Sequence, residues 1–123
     1  LHHIPQIKKK LGISGILSNV CTWSYRGATD IENEQLAGAQ IDLIIDRGDK
    51  TINLCEMKFV NQPYVISSNY AMWLIKRREL FKQVTGTRKT IHLTMVTSYG
   101  VEHNAAWQNI QSEVTMDDLF QIE

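Results

Sequence analysis

A chain of 123 residues and 14.1 kDa has room for one domain, and 43% apolar with 21% charged residues is ordinary globular composition. Thirteen Lys and Arg face thirteen Asp and Glu, so no net charge draws the chain onto nucleic acid or an anionic membrane. Apolar runs such as Leu43-Ile44-Ile45 fall far short of the ~20 residues that a membrane span needs.

The opening run, LHHIPQIKKK, is charged and lacks an apolar stretch, so no secretory signal is expected in it. The chain starts without Met and in mid-pattern, and we expect a fragment of something longer. Ile4, Ile7 and Leu11 are spaced for a short helix, with Lys8-Lys9-Lys10 suiting its last turn and Gly12 its stop. Val20 to Arg26 alternates apolar and polar residues as a strand does. Gly27 to Gly38 is acidic and loop-like. Ala39 to Arg47 and Thr51 to Val60 are both β-patterned, and Gly48-Asp49-Lys50 between them predicts a hairpin.

After Pro63 the period becomes helical. Ser67 or Ser68 is the expected cap, Tyr70, Trp73, Leu74, Phe81 and Val84 the expected buried stripe, and Gly86 the stop. Lys89 to Ser98 reads as a strand with Ile91, Leu93 and Met95 on one face. Asn109 to Val114 reads as a further strand, and Thr115 with Asp117 and Asp118 caps a short C-terminal turn of helix. The order is a mixed α/β arrangement, opened by antiparallel strands and closed by a right-handed crossover through the long helix. Cys21 and Cys55 both lie in apolar patterns and are expected as buried free thiols of a reducing cytoplasm.

Several chemistries are excluded by motif. There is no G-x-x-x-x-G-K-[ST] loop, so no nucleotide site is expected in this stretch, and no G-x-S-x-G elbow or Cys/His zinc spacing occurs. What remains is a set of charges on the central hairpin. Asp42 lies in its first strand; Glu56 and Lys58, two residues apart, share a face of its second. They end a row begun by Ile52 and Leu54, where charge is expensive unless paired or used. Should the hairpin bring Asp42 opposite them, two carboxylates and an ammonium converge. Hard oxygens of this kind suit Mg²⁺ or Mn²⁺. An acid-x-Lys triplet arises by chance roughly 0.8 times in a chain of this composition. Its weight therefore comes from its place on the hairpin.

The runs Gly38 to Asp46 (GAQIDLIID) and Ile52 to Phe59 (INLCEMKF) resemble the D…(D/E)xK signature of the PD-(D/E)XK nuclease superfamily. More narrowly, the chain is similar to the C-terminal domain of Bacteroides-type AAA ATP-binding proteins, where such a module follows an N-terminal P-loop ATPase. The likeness extends through HIPQIK at His3, GTRK at Gly86, IHLT at Ile91 and QSEVTMDDLF at Gln111, and so covers nearly all of residues 1–123. It implies a restriction-endonuclease-like αβββαβ core with a mixed sheet, in one domain. It implies Asp42, Glu56 and the Met57 backbone carbonyl as ligands of Mg²⁺ or Mn²⁺, and Lys58 as the catalytic lysine of DNA phosphodiester hydrolysis. The implied partners are DNA and the ATPase domain of the same polypeptide, in the cytoplasm, with no membrane. Ile41 replaces the proline of the PD pair. A glutamate often found on the first helix would lie upstream of Leu1, with the missing start of that helix, and Glu34 is a poor substitute on a loop.

Blander readings stand beside these. The same fold could be catalytically silent and dock DNA or the ATPase domain, which the neutral charge favours; or the polar triad could be a structural ion pair. Lys76 and Arg77 are candidate phosphate contacts, against the alternative of a solvated helix face. Asp46 reads as a turn-flanking surface residue. Trp23, Trp73 and Trp107 are expected in the core rather than stacked on bases. His92 is expected to be a satisfied strand histidine, and His103 an exposed loop residue.

Overall fold

The computed structural model describes residues 3–26, 28–29, 35–36 and 39–120. Pro5 at the start of α1 (Ile4–Lys10) has the φ that a first turn needs, and Lys8, Lys9 and Lys10 place positive charge at the helix C-terminus. Gly12, at φ 74°, turns the chain out of it. β1 (Ser18–Tyr25) follows, then two two-residue strands, β2 (Ala28–Thr29) and β3 (Gln35–Leu36), paired antiparallel with each other. The rest of the acidic Gly27 to Gly38 connection lies outside the described residues.

β4 (Ala39–Arg47) and β5 (Thr51–Lys58) form the expected hairpin, and Lys50 takes the left-handed conformation at its turn (φ 65°). α2 (Ser68–Thr85) is capped by Ser67, whose hydroxyl accepts the Tyr70 N–H at 3.1 Å, and ends at Gly86 in the left-handed region (φ 66°). β6 (Thr90–Thr97), a 3₁₀ turn (Ala105–Asn109), β7 (Ser112–Thr115) and α3 (Met116–Leu119) complete the chain. The last strand thus starts later than its pattern suggested, because Asn104 caps the 3₁₀ turn through Trp107 N–H. Among the described residues, no helix is long and apolar enough to cross a membrane.

The five long strands make one mixed sheet in the order β1-β4-β5-β6-β7. β1, β4 and β5 pair antiparallel, whereas β5-β6 and β6-β7 are parallel. One face, carrying Ile44, Ile52, Leu54, Leu93 and Met95, packs on Ala71, Leu74 and Phe81 of α2. The other, carrying Leu43, Ile45, Cys55, Val96 and Val114, packs on Ile7 of α1 and Leu119 of α3. β5 is central and buried on both faces from Ile52 to Cys55, which explains its nearly continuous apolar run.

Three expectations about burial need correction. Cys21 is exposed, because β1 is an edge strand and Asn19 to Thr22 are uncovered on both faces. Cys55 is buried as expected, and burial, then the Glu56 charge, pushes its thiol up to about 12. Trp73 and Val84 belong to the solvent side of α2, at 46% and 40% exposure, not to its buried stripe.

A polar row runs through this otherwise apolar sheet. Arg47 Nη1 donates to Asn53 Oδ1 at 3.1 Å, Asn53 Nδ2 to Thr94 Oγ1 at 3.0 Å, and Thr94 Oγ1 meets Ser112 Oγ at 2.9 Å. Asn53 and Thr94 are each only 1% exposed, so no water is at hand to replace a lost partner. Thr94→Val should therefore destabilise the fold by about 1–3 kcal/mol in urea denaturation. Equal stability would mean that the row is not needed.

The termini are tied together. Lys10 Nζ lies 3.3 Å from Asp118, His3 Nδ1 donates to the Leu119 carbonyl at 3.1 Å, and Asp118 accepts from the Thr115 N–H (2.8 Å) and hydroxyl (3.0 Å). Burial raises the Asp118 pKa, but the Thr115 N–H, the Thr115 hydroxyl and Lys10 outweigh it, and the net shift is downward. Asp118 thus holds its proton less tightly folded than unfolded, where its pKa is about 3.9. Its contribution is complete at neutral pH and is lost as pH falls through the lowered folded value. Asp118→Asn should remove that part of the acid sensitivity, seen as a flatter stability profile below about pH 4; an unchanged profile would refute the assignment.

Candidate functional site

β4 runs antiparallel to β5, and β5 runs parallel to β6, so the start of β4 and the ends of β5 and β6 share one end of the sheet. Ligands of open α/β sheets favour the carboxyl ends of parallel strands. Here Glu56 and Lys58 continue the face of Ile52 and Leu54 toward α2, while Cys55 and Met57 turn to the opposite layer.

The α2 residue that meets Glu56 is Arg77. It falls on the helical stripe of Ala71, Leu74 and Phe81 and is only 5% exposed. Its Nη2 makes an ion pair with Glu56 Oε2, and its Nη1 donates to the Gln40 carbonyl at 2.9 Å. Gln40 in turn donates its side-chain amide to Asp42 Oδ1 at 2.9 Å. One guanidinium thus joins β4 to β5 and links the two carboxylates through Gln40. Its Nε is buried with no hydrogen-bond partner.

Aromatic rings complete the wall. Lys58 Nζ lies 5.0 Å from the Tyr70 ring centre, Tyr70 stacks on Trp73 at 5.5 Å, and the Arg77 guanidinium lies 4.4 Å from the Trp73 centroid. Lys58, Tyr70, Trp73 and Arg77 form a continuous series, with a cation at each end. Tyr64 closes edge-on against Tyr70 at 5.8 Å and is held by the Gly100 carbonyl and the Glu102 N–H. Burial first, and then the Glu56 charge, raises the pKa of both tyrosines. The Tyr70 hydroxyl is buried close enough to feel Glu56, yet without a hydrogen bond of standard geometry.

The expected residues fare differently. Asp42 is exposed near the start of β4, and Glu56 and Lys58 are half-buried at the end of β5. The β4-β5 register is described only as far as Leu43 against Cys55, one pair short of Asp42. A register shift against β1 places Ile41 and Ile44 in the same core cluster, so strict alternation fails in this part of β4. Asp46 lies at the other end of the sheet, in an ion pair with Lys89. Met57 is paired with Val96 in the β5-β6 ladder. Lys76 is exposed, but Arg77 is neither a solvated residue nor a free phosphate contact, because its charge is engaged inside the protein. His103 is exposed as expected and stacks on Trp107 at 4.3 Å. Arg77 was hidden within the charged run Lys76-Arg77-Arg78, although its spacing from Leu74 and Phe81 marks the buried face. Gln40, Tyr64 and Tyr70 carried no comparable chemical signal.

No protein-family model and no curated protein matches the chain. A solved structure does resemble it, that of a protein of unknown function, AF1548, with TM-score 0.57 and 15% identity. The match covers 92% of this chain and 60% of that one, so the chain spans less than two-thirds of that protein. Likeness at this identity concerns the α/β fold alone.

Because Arg77 and Glu56 are withdrawn from water together, removing one strands the other. Arg77→Met should destabilise by on the order of 3 kcal/mol, and Glu56→Gln on top of it should restore much of that loss. A double-mutant cycle in urea measures the coupling; simple additivity would show that the pair does not stabilise the site.

Proposed function

We propose that the chain carries a divalent-cation-dependent, nuclease-like site of the PD-(D/E)XK kind, acting on DNA phosphodiesters and appended to an AAA-type ATPase. The observation that carries this reading is that one guanidinium meets both Glu56 and the Gln40 carbonyl at one end of the sheet, with Asp42 hydrogen-bonded to the Gln40 side chain and Lys58 on the Tyr70 ring. The donors fit Mg²⁺ or Mn²⁺. Asp42 and Glu56 offer hard carboxylate oxygens, and the ion pair of Glu56 with Arg77 uses one of its two. The Met57 carbonyl is a further candidate donor. Among the described residues, no three His, Cys, Asp or Glu side chains gather into a metal site. Mg²⁺ is commonly held by one or two carboxylates, with water completing its shell.

Once bound, such a cation supplies Lewis-acid polarisation of a phosphoryl oxygen. The chain's residues then have separate tasks. Asp42 and Glu56 hold the cation. Lys58, steadied on the Tyr70 ring, places a positive charge where negative charge develops on the phosphoryl oxygens. Tyr64 and Tyr70 wall the site with apolar surface, which strengthens each of these charge interactions.

A second reading, a silent fold that docks DNA or the ATPase domain, is favoured by one observation: Glu56 is already neutralised by Arg77. Calorimetry with Mn²⁺ separates the two. Asp42→Asn should weaken binding by about tenfold or more, and unchanged affinity would sink the site assignment. DNA cleavage by the full-length protein should vanish with Glu56→Gln or Lys58→Met while circular dichroism stays native. A docking module would show no cleavage to lose and would keep its partner through both changes.

A further inference from the structure

Arg77 stands where a cation would. We propose that Arg77 is a built-in counter-ion that holds Glu56 in the cation-free site and gives way when a divalent cation binds, making it a positioning residue whose release opens the site. The proposal rests on the metal-site reading above and adds the event that controls it.

Three features support a guanidinium poised to move. First, its contacts mimic a metal's: it draws together a carboxylate oxygen of Glu56 and a backbone carbonyl of Gln40, both hard oxygen acceptors. Second, this pose leaves a buried donor unused, because Nε has no partner. An unsatisfied buried N–H raises the energy of the resting pose, so one that satisfies it competes. Third, Trp73 offers a place to go. Its half-exposed ring lies 4.4 Å from the guanidinium and extends from the buried site to solvent. A cation sliding along an aromatic surface keeps part of its attraction while it leaves Glu56. A divalent cation on the other Glu56 oxygen would repel the guanidinium already paired with that carboxylate, so cation binding weakens the Arg77–Glu56 pair.

The test is cation binding rather than activity. Calorimetric titration of Mn²⁺ into the wild-type chain, Arg77→Gln and Arg77→Gln/Glu56→Gln gives three affinities. Arg77→Gln should bind about tenfold tighter than wild type, and the double variant should lose the site. Equal or weaker binding by a folded Arg77→Gln would overturn the counter-ion role and leave the metal reading intact. No saturable binding by any of the three would overturn both.

A second readout leaves the pair intact. Mg²⁺ titrated into the wild-type chain should change tryptophan emission saturably as the guanidinium leaves Trp73, and Trp73→Phe should abolish that change. Mg²⁺ binding seen by calorimetry with no change in emission would overturn the movement of Arg77.

Discussion

A guanidinium placed between a helix and a sheet, almost out of contact with water, constrains everything around it. Removing that charge from solvent is costly unless an opposite charge and further acceptors meet it. Glu56 supplies the charge, and the carbonyl of Gln40 supplies an acceptor on the neighbouring strand. These contacts fix where α2 lies along β5 and how close the start of β4 comes to the end of β5. An apolar residue at position 77 would pack against the sheet with less positional demand. The ion pair therefore sets geometry more than it adds stability.

The mixed sheet makes such a cluster possible. Antiparallel pairing brings the start of β4 to the end of β5, and the parallel partner β6 frees that end by sending the chain away through α2. The β4 irregularity beside Ile41 departs from regular pairing where the polar residues gather. At the far end, Asp46 with Lys89 and Arg47 with Asp49 close the sheet by ordinary surface pairing. The two ends thus differ in how fully a paired arginine is buried. The Arg77 side chain at the first is 4% exposed, against 13% for Arg47 at the second.

Much of the fold was legible because its signals were local. Period-two runs marked β4 to the residue, Gly48-Asp49-Lys50 marked the turn, and Ser67 and Gly86 marked the ends of α2. Glu56 and Lys58 could be placed on one face from spacing alone. The partner of Glu56 could not, since it lies twenty-one residues on and is flanked by other cations. Helical spacing puts Trp73 in the buried stripe, yet its side of α2 leaves it 46% exposed. Cys21 was misread for a related reason: alternation marks a strand but not whether a neighbour covers it. Burial of a charge and exposure of an indole are both decided by packing between distant segments, to which a local pattern is blind.

The internal pairing of charge also shapes how this domain meets other molecules. Arg77, Arg47, Lys89 and Lys10 each spend their charge on an acid of the same chain. The whole chain also has a net charge of zero, so it projects little net field beyond a Debye length. A polyanion would then arrive by unassisted diffusion, at an encounter rate that hardly changes with ionic strength. Capture would depend on contacts made after arrival, and placement beside a tethered neighbour would substitute for long-range attraction by raising effective concentration.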